Sequence, residues 1–173
     1  MTHKIELKKI KYSKSLSEET NAYTAQIWVD GKHFCDVSNH GYGGGDEHHP
    51  INGKHGTFVE ELQRLNAEIK ATYPAKDTGM MLKGKPFIME QDLESVCNDL
   101  LAEHLITKDL QRLLKRTVAF FDPTTKQVRS YTGKHEGEAR THLITETLRK
   151  NPNATILNNL PLIEAIALFK KAS

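Results

Sequence analysis

Asn39–Pro50 concentrates the groups in this chain that can do chemistry. The run Asn-His-Gly-Tyr-Gly-Gly-Gly-Asp-Glu-His-His-Pro sets three histidines and two carboxylates among four glycines. Histidine and carboxylate ligate divalent metals and move protons near neutral pH, while glycine lets the backbone take positive φ or approach another surface closely. A metal reading recruits His40, Asp46 and His48 or His49, with His55 and Cys35 as further donors. In extended backbone His48 and His49 point to opposite sides, so only one of them ligates easily. Zn²⁺ or another divalent ion held there would polarise a phosphoryl oxygen or activate water, with Glu47 as base, which is nuclease or phosphoesterase chemistry. The spacing matches no compact signature such as His-Glu-x-x-His or Cys-x-x-Cys.

Other chemistry is thinner. Gly41, Gly43, Gly44 and Gly45 can present successive amides to an anion. A dinucleotide fingerprint, however, needs strand, glycines and helix in a parallel βαβ unit, and here an antiparallel hairpin precedes the glycines. There is no Gly-x-Ser-x-Gly elbow. Strict alternation puts His33 and Cys35 on one strand face, but free cysteine is usually a small core residue, and Cys97 lies on an inward helical stripe. The balance leans away from an enzyme. It favours a binding loop built from Asn39, Gly41, Tyr42, Gly43, Gly44 and Glu47, where tyrosine offers rigid area with a polar tip. Met80 and Met81 are further adaptable anchors.

The elements that must position these residues follow from periodicity. Residues 4–12 read as a strand whose two halves differ in register, reconciled by a bulge near Lys8–Lys9. Ser13–Thr20 is polar and turn-like. Tyr23, Ala25, Ile27 and Val29 alternate along a second strand, and Asp30-Gly31 predicts a type I′ turn into a third at His33–Ser38. With that turn as the whole loop, Trp28 faces His33 and Ile27 faces Phe34. One face of the hairpin then packs under helices and the other under the glycine loop. Thr57 and Glu60 form a capping box for a helix whose stripe is Phe58, Leu62, Leu65, Ile69 and Tyr73, ended by Pro74. Ala75–Pro86 reads as an irregular connection. A helical pattern then runs from Met89 to Arg116, with a break at Ile106-Thr107. Val118–Asp122 and Gln127–Tyr131 form a second hairpin, and a helix at Glu138–Lys150, a strand at Ala154–Leu157 and a helix from Pro161 complete the chain. The fold class is α+β: an N-terminal antiparallel hairpin or meander, amphipathic helices, a second hairpin and a C-terminal αβα segment. Residues 1–173 read as a single domain, β-rich over 1–50, helical over 57–116 and mixed over 117–173.

Composition narrows the class. Twenty-four basic against 22 acidic residues leave a formal charge of +2, short of the strongly basic balance of a dedicated nucleic-acid binder. Lys4, Lys8, Lys9, Lys11 and Lys14, with Arg112, Lys115 and Arg116, keep a nucleic-acid reading alive as a third alternative. Two cysteines are too few for a disulfide framework. The N-terminus has no signal-peptide core and no apolar run is long enough to cross a bilayer. The expectation is a cytoplasmic protein without a membrane span.

The chain resembles a group of uncharacterised proteins encoded in bacterial genomes and prophages. The resemblance rests on Ser17–Thr20, Asp30-Gly31-Lys32, Ser38-Asn39-His40-Gly41-Tyr42-Gly43-Gly44 and Arg112–Arg116, and covers about half the chain. It implies a bacterial or phage origin and no catalytic residue. The functional expectation is a small accessory protein that binds a macromolecule, a protein, as inhibitor or adaptor, including against a host defence system. A metal-dependent hydrolase is the alternative.

Overall fold

The computed structural model describes residues 3–51, 56–132 and 136–172; His55, a possible metal donor by sequence, lies outside them. The fold is α+β as expected, and the chain divides into two compact units, Met1–Leu101 and Ala102–Ser173. No helix among the described residues is long and apolar enough to cross a membrane.

The first unit opens with a four-stranded antiparallel sheet in sequence order: β1 (Ile5–Tyr12), β2 (Tyr23–Val29), β3 (Lys32–Asn39) and β4 (Glu47–Pro50). The predicted bulge in β1 is present, with the register shifting between Lys8 and Lys11 and Lys9 at φ 53°. Asp30-Gly31 forms the two-residue turn, both residues at positive φ, which keeps Trp28 opposite His33. A second bulge then corrects the expected register: Ile27 faces Cys35, not Phe34. The extra residue, Phe34, turns to meet Phe58 at 5.8 Å between ring centroids. The same bulge breaks alternation, so His33 and Cys35 look to opposite faces rather than sharing one.

Beyond the bulge the pleat drives Cys35, Val37 and Asn39 inward alongside Tyr23, Ala25 and Ile27. Helix α1 (Phe58–Thr72) contributes Phe58, Leu65 and Ile69 to the buried set. Its expected capping box does not form: Thr57 has helical φ/ψ and its hydroxyl reaches Glu61 instead of a backbone amide. Helix α2 (Leu93–Arg116) adds Leu93, Val96, Cys97 and Leu101. Asp92 caps it, accepting the Ser95 amide while the Ser95 hydroxyl answers the Asp92 amide. The break expected at Thr107 is absent: the helix runs through it without interruption.

Burial holds both thiols in their neutral form, Cys35 with its pKa pushed up to about 12 and Cys97 also raised. Both are therefore expected to resist a thiol-titrating reagent in the native protein and to react fully in denaturant; native-state labelling of either contradicts this packing.

His3 ties the sheet to α1. Its Nδ1 lies 2.7 Å from Asp30 and its Nε2 2.5 Å from Glu68, and the Tyr73 hydroxyl donates to the His3 carbonyl. The hydrogen bond to Asp30, then that to Glu68, raise the His3 pKa above its ordinary 6.5. A raised folded-state pKa means the clamp contributes fully below pH 6.5 and is lost as pH rises through the folded value. His3→Gln is thus expected to destabilise more at pH 6 than at pH 8.5, read from paired thermal melts. An equal penalty at both contradicts the clamp.

The stretch expected to be irregular is instead a hairpin, β5 (Lys76–Leu82) and β6 (Lys85–Met89), a two-stranded sheet of its own turning on Lys83-Gly84. In the second unit, β7 (Thr117–Asp122) and β8 (Gln127–Thr132) pair in register, and the Asp122 carboxylate accepts the Thr124 and Thr125 amides as the turn predicts. Helix α3 (Gly137–Lys150), the short strand β9 (Thr155–Ile156) and helix α4 (Leu162–Ala172) follow. β9 pairs antiparallel with β7, giving strand order β8-β7-β9. Leu110, Ala119, Leu157 and Ala165 form the centre of this unit's core. Asn158 joins its pieces, accepting the Ala119 amide and donating to the Leu114 and Thr117 carbonyls.

Candidate functional site

The glycine run is the loop of a hairpin. β4 pairs back onto β3 with Ser38 opposite Glu47 and Val37 opposite His48, so the stretch expected to be loop throughout Asn39–Pro50 is loop only between Asn39 and Glu47. Asn39, itself buried, organises it. Its side-chain carbonyl accepts the Gly41 amide and the Thr20 hydroxyl, and its amide donates to the Gly44 carbonyl and to Asp46 Oδ1. All of its usual bonding capacity is used within the loop and on Thr20 of the segment that braces it.

The loop is braced from outside by the segment before β2. The Gly41 carbonyl accepts the amides of Glu18, Glu19 and Thr20, so Ser17–Thr20 and Ser38–Gly44, two of the segments that carry the resemblance, meet in space. Gly41 has φ +89°, and a Cβ there would stand 2.1 Å from the Leu16 carbonyl oxygen. At Gly43 a Cβ would meet the Glu19 carboxylate. Gly41 is required by close approach to backbone; at Gly43 the exposed Glu19 side chain can move aside, and it is the φ of +88° that favours glycine.

Asp46 is spent on the fold. Its Oδ2 accepts the buried Tyr23 hydroxyl at 2.5 Å, its Oδ1 accepts from Asn39, and its amide donates to Glu94 on α2. Burial first, then this bond, raise the Tyr23 pKa and keep the phenol neutral. His48 points inward from β4, and burial lowers its pKa against the opposing pull of Asp46 and Glu94. Its Nε2 is buried without a hydrogen-bond partner among the described residues. His49 points outward and bonds Ser38 at 2.9 Å. His40 and His49 each lie near Glu47 Oε2, at 3.8 and 3.9 Å, all three well exposed.

The proposed metal donors are therefore split between two faces: Asp46 and His48 inside, His40 and His49 outside with the candidate base Glu47. Among the described residues no group of three or more His, Cys, Asp or Glu side chains is placed to hold a metal ion. The pleat of β4 separates His48 from Glu47 and His49, since adjacent residues of a strand face opposite sides.

The loop instead presents surface. Tyr42 is 62% exposed, and with Leu16 and Tyr12 it borders a cleft of about 320 Å³ that also takes in Lys11, Tyr23 and His40. Tyr12 and Leu16 belong to this site but are not singled out by the sequence, because the contact between residues 16–20 and Gly41 is non-local. The basic N-terminal cluster is partly engaged: Lys4 lies 3.3 Å from Glu6, and the Lys8 ammonium sits 3.9 Å over the Trp28 ring.

Fold and site together define a small α+β protein with a braced, tyrosine-bearing surface loop. Comparison with known protein families, curated proteins and solved structures finds no match.

Proposed function

We propose that the protein acts by binding a protein partner, as an inhibitor or adaptor, through the face formed by the glycine loop and the segment that braces it. Its setting is a bacterium or a phage, where blunting a host defence is one such role. The supporting observation is the division of labour in the loop. Asn39, Gly41 and Asp46 are consumed in holding the backbone, while Tyr42, Tyr12 and Leu16 are left exposed beside a cleft. A rigid aromatic anchor loses little conformational entropy on binding, which is how such residues become hot spots.

Tyr42→Ala combined with Tyr12→Ala is expected to weaken partner binding roughly thirtyfold or more, the loss typical of a hot spot, while circular dichroism and melting temperature stay unchanged. Asp46→Ala is a poor companion mutation, because it leaves the Tyr23 hydroxyl and the Asn39 amide without their partner. Undiminished binding by the double tyrosine variant overturns the assignment of this face.

A further inference from the structure

A second cleft, of about 330 Å³, lies between helix α1 and the turn that joins β2 to β3. It shares no lining residue with the cleft beside the glycine loop. Two contacts fix its walls. Phe34, the bulged residue of β3, meets Phe58 at the start of α1, and His3 bridges Asp30 to Glu68 farther along the same helix. The two struts stand about 15 Å apart along the helix axis, and the cleft occupies the space between them. Its size suits a small molecule. Buried Leu65 and half-buried Val29 and Phe34 give it an apolar lining.

The charged groups around the cleft are not closed on one another. Glu68 is engaged by His3, and His33 by Asp36. The side chains of Lys32 and Arg64 have no ion pair or hydrogen bond among the described residues. Glu61 accepts only the Thr57 hydroxyl, at 3.3 Å. Glu61 and Arg64 stand one helical turn apart, where opposite charges ordinarily meet. The other acid-then-arginine pairs at this spacing do meet: Asp109 with Arg112 at 3.4 Å, and Glu146 with Arg149 at 3.0 Å. At positions 61 and 64 the pair is left open, and both groups line the cleft together with Lys32.

A ligand that satisfies this set carries a carboxylate and an ammonium close together, next to an apolar body. A guanidinium takes a carboxylate through two parallel hydrogen bonds, Lys32 adds a further donor, and the Glu61 carboxylate accepts from an ammonium. We infer that the cleft binds a free α-amino acid with an apolar side chain. Its carboxylate lies on Arg64 and Lys32, its ammonium on Glu61, and its side chain against Phe34 and Leu65.

Equilibrium dialysis of the full chain against labelled L-phenylalanine, with unlabelled competitors, tests this. Phenylalanine is expected to bind and L-leucine to displace it. N-acetyl-L-phenylalanine, which lacks the ammonium, and L-phenylalaninamide, which lacks the carboxylate, compete roughly tenfold more weakly or worse, as loss of a charge-assisted hydrogen bond predicts. Arg64→Gln weakens phenylalanine binding by about the same factor. Glu61→Gln does so too and removes the preference over the acetyl derivative. Arg64 is exposed and Glu61 half-buried, so both variants are expected to melt close to the parent. No retention of phenylalanine in the millimolar range, or retention that both variants leave unchanged, overturns the inference. Competition by acetylphenylalanine equal to that of phenylalanine overturns it as well.

Discussion

Gly41→Ala is expected to disrupt the glycine loop and destabilise the protein by about 3 kcal/mol or more, at the upper end of single-substitution effects. The new Cβ would stand 2.1 Å from the Leu16 carbonyl oxygen and 3.0 Å from the Ala22 Cβ. The first of these is backbone and cannot swing aside. Moving it would also strain the contacts that Glu18, Glu19 and Thr20 make with the Gly41 carbonyl, and the positive φ adds its own penalty for an L-residue. Gly44 supplies the internal control, since a Cβ there meets open space. Gly44→Ala is expected to stay within about 0.5 kcal/mol of the parent. Urea unfolding of the two variants measures the difference, and equal effects would contradict the bracing described above.

Asn39→Ala is expected to cost about 2 kcal/mol, because it strands the buried Gly41 amide and removes a donor from Asp46 and from the Gly44 carbonyl. Asn39→Asp separates packing from bonding. The carboxylate keeps the acceptor contacts to Gly41 and Thr20 but turns the donor side into an acceptor facing the Asp46 carboxylate and the Gly44 carbonyl. Two carboxylates sharing one site raise the pKa of one of them. The folded state then binds more protons than the unfolded state, so this variant regains stability relative to the parent as pH falls below about 5. Asn39→Ala has no such recovery. A parallel pH dependence for the two variants would contradict the role given to Asn39.

Much of the first sheet was legible because its signals are local. Asp30-Gly31 demanded positive φ, and the two registers of Ile5-Leu7 and Ile10-Tyr12 required a bulge. The Phe34 bulge left no such mark, since Phe34 and Cys35 are both apolar and either can face inward. β4 hid behind charged and imidazole side chains on a short edge strand. The β5–β6 hairpin was missed because exposed strands have no buried face to impose alternation, although Lys83-Gly84 carried the turn. Thr107 looked like a cap because threonine favours both caps and exposed helical positions. The glycine loop drew attention by composition, yet its logic lies in residues 16–20, more than twenty positions upstream of Gly41 at their nearest approach in space. A contact of that kind is invisible to spacing, which is why the histidines read as ligands while Asn39 did the organising.

The account stands most directly on whether the loop face meets a protein. A photo-crosslinking residue placed at Tyr42 in the full chain, compared with one at the exposed Lys126 in the turn between β7 and β8, tests this in cells that express the protein naturally. Discrete crosslinked products from position 42, absent from position 126 and lost when Tyr12 is changed to alanine, are the predicted result. No product at position 42, or the same products from both positions, would contradict the recognition role of the loop.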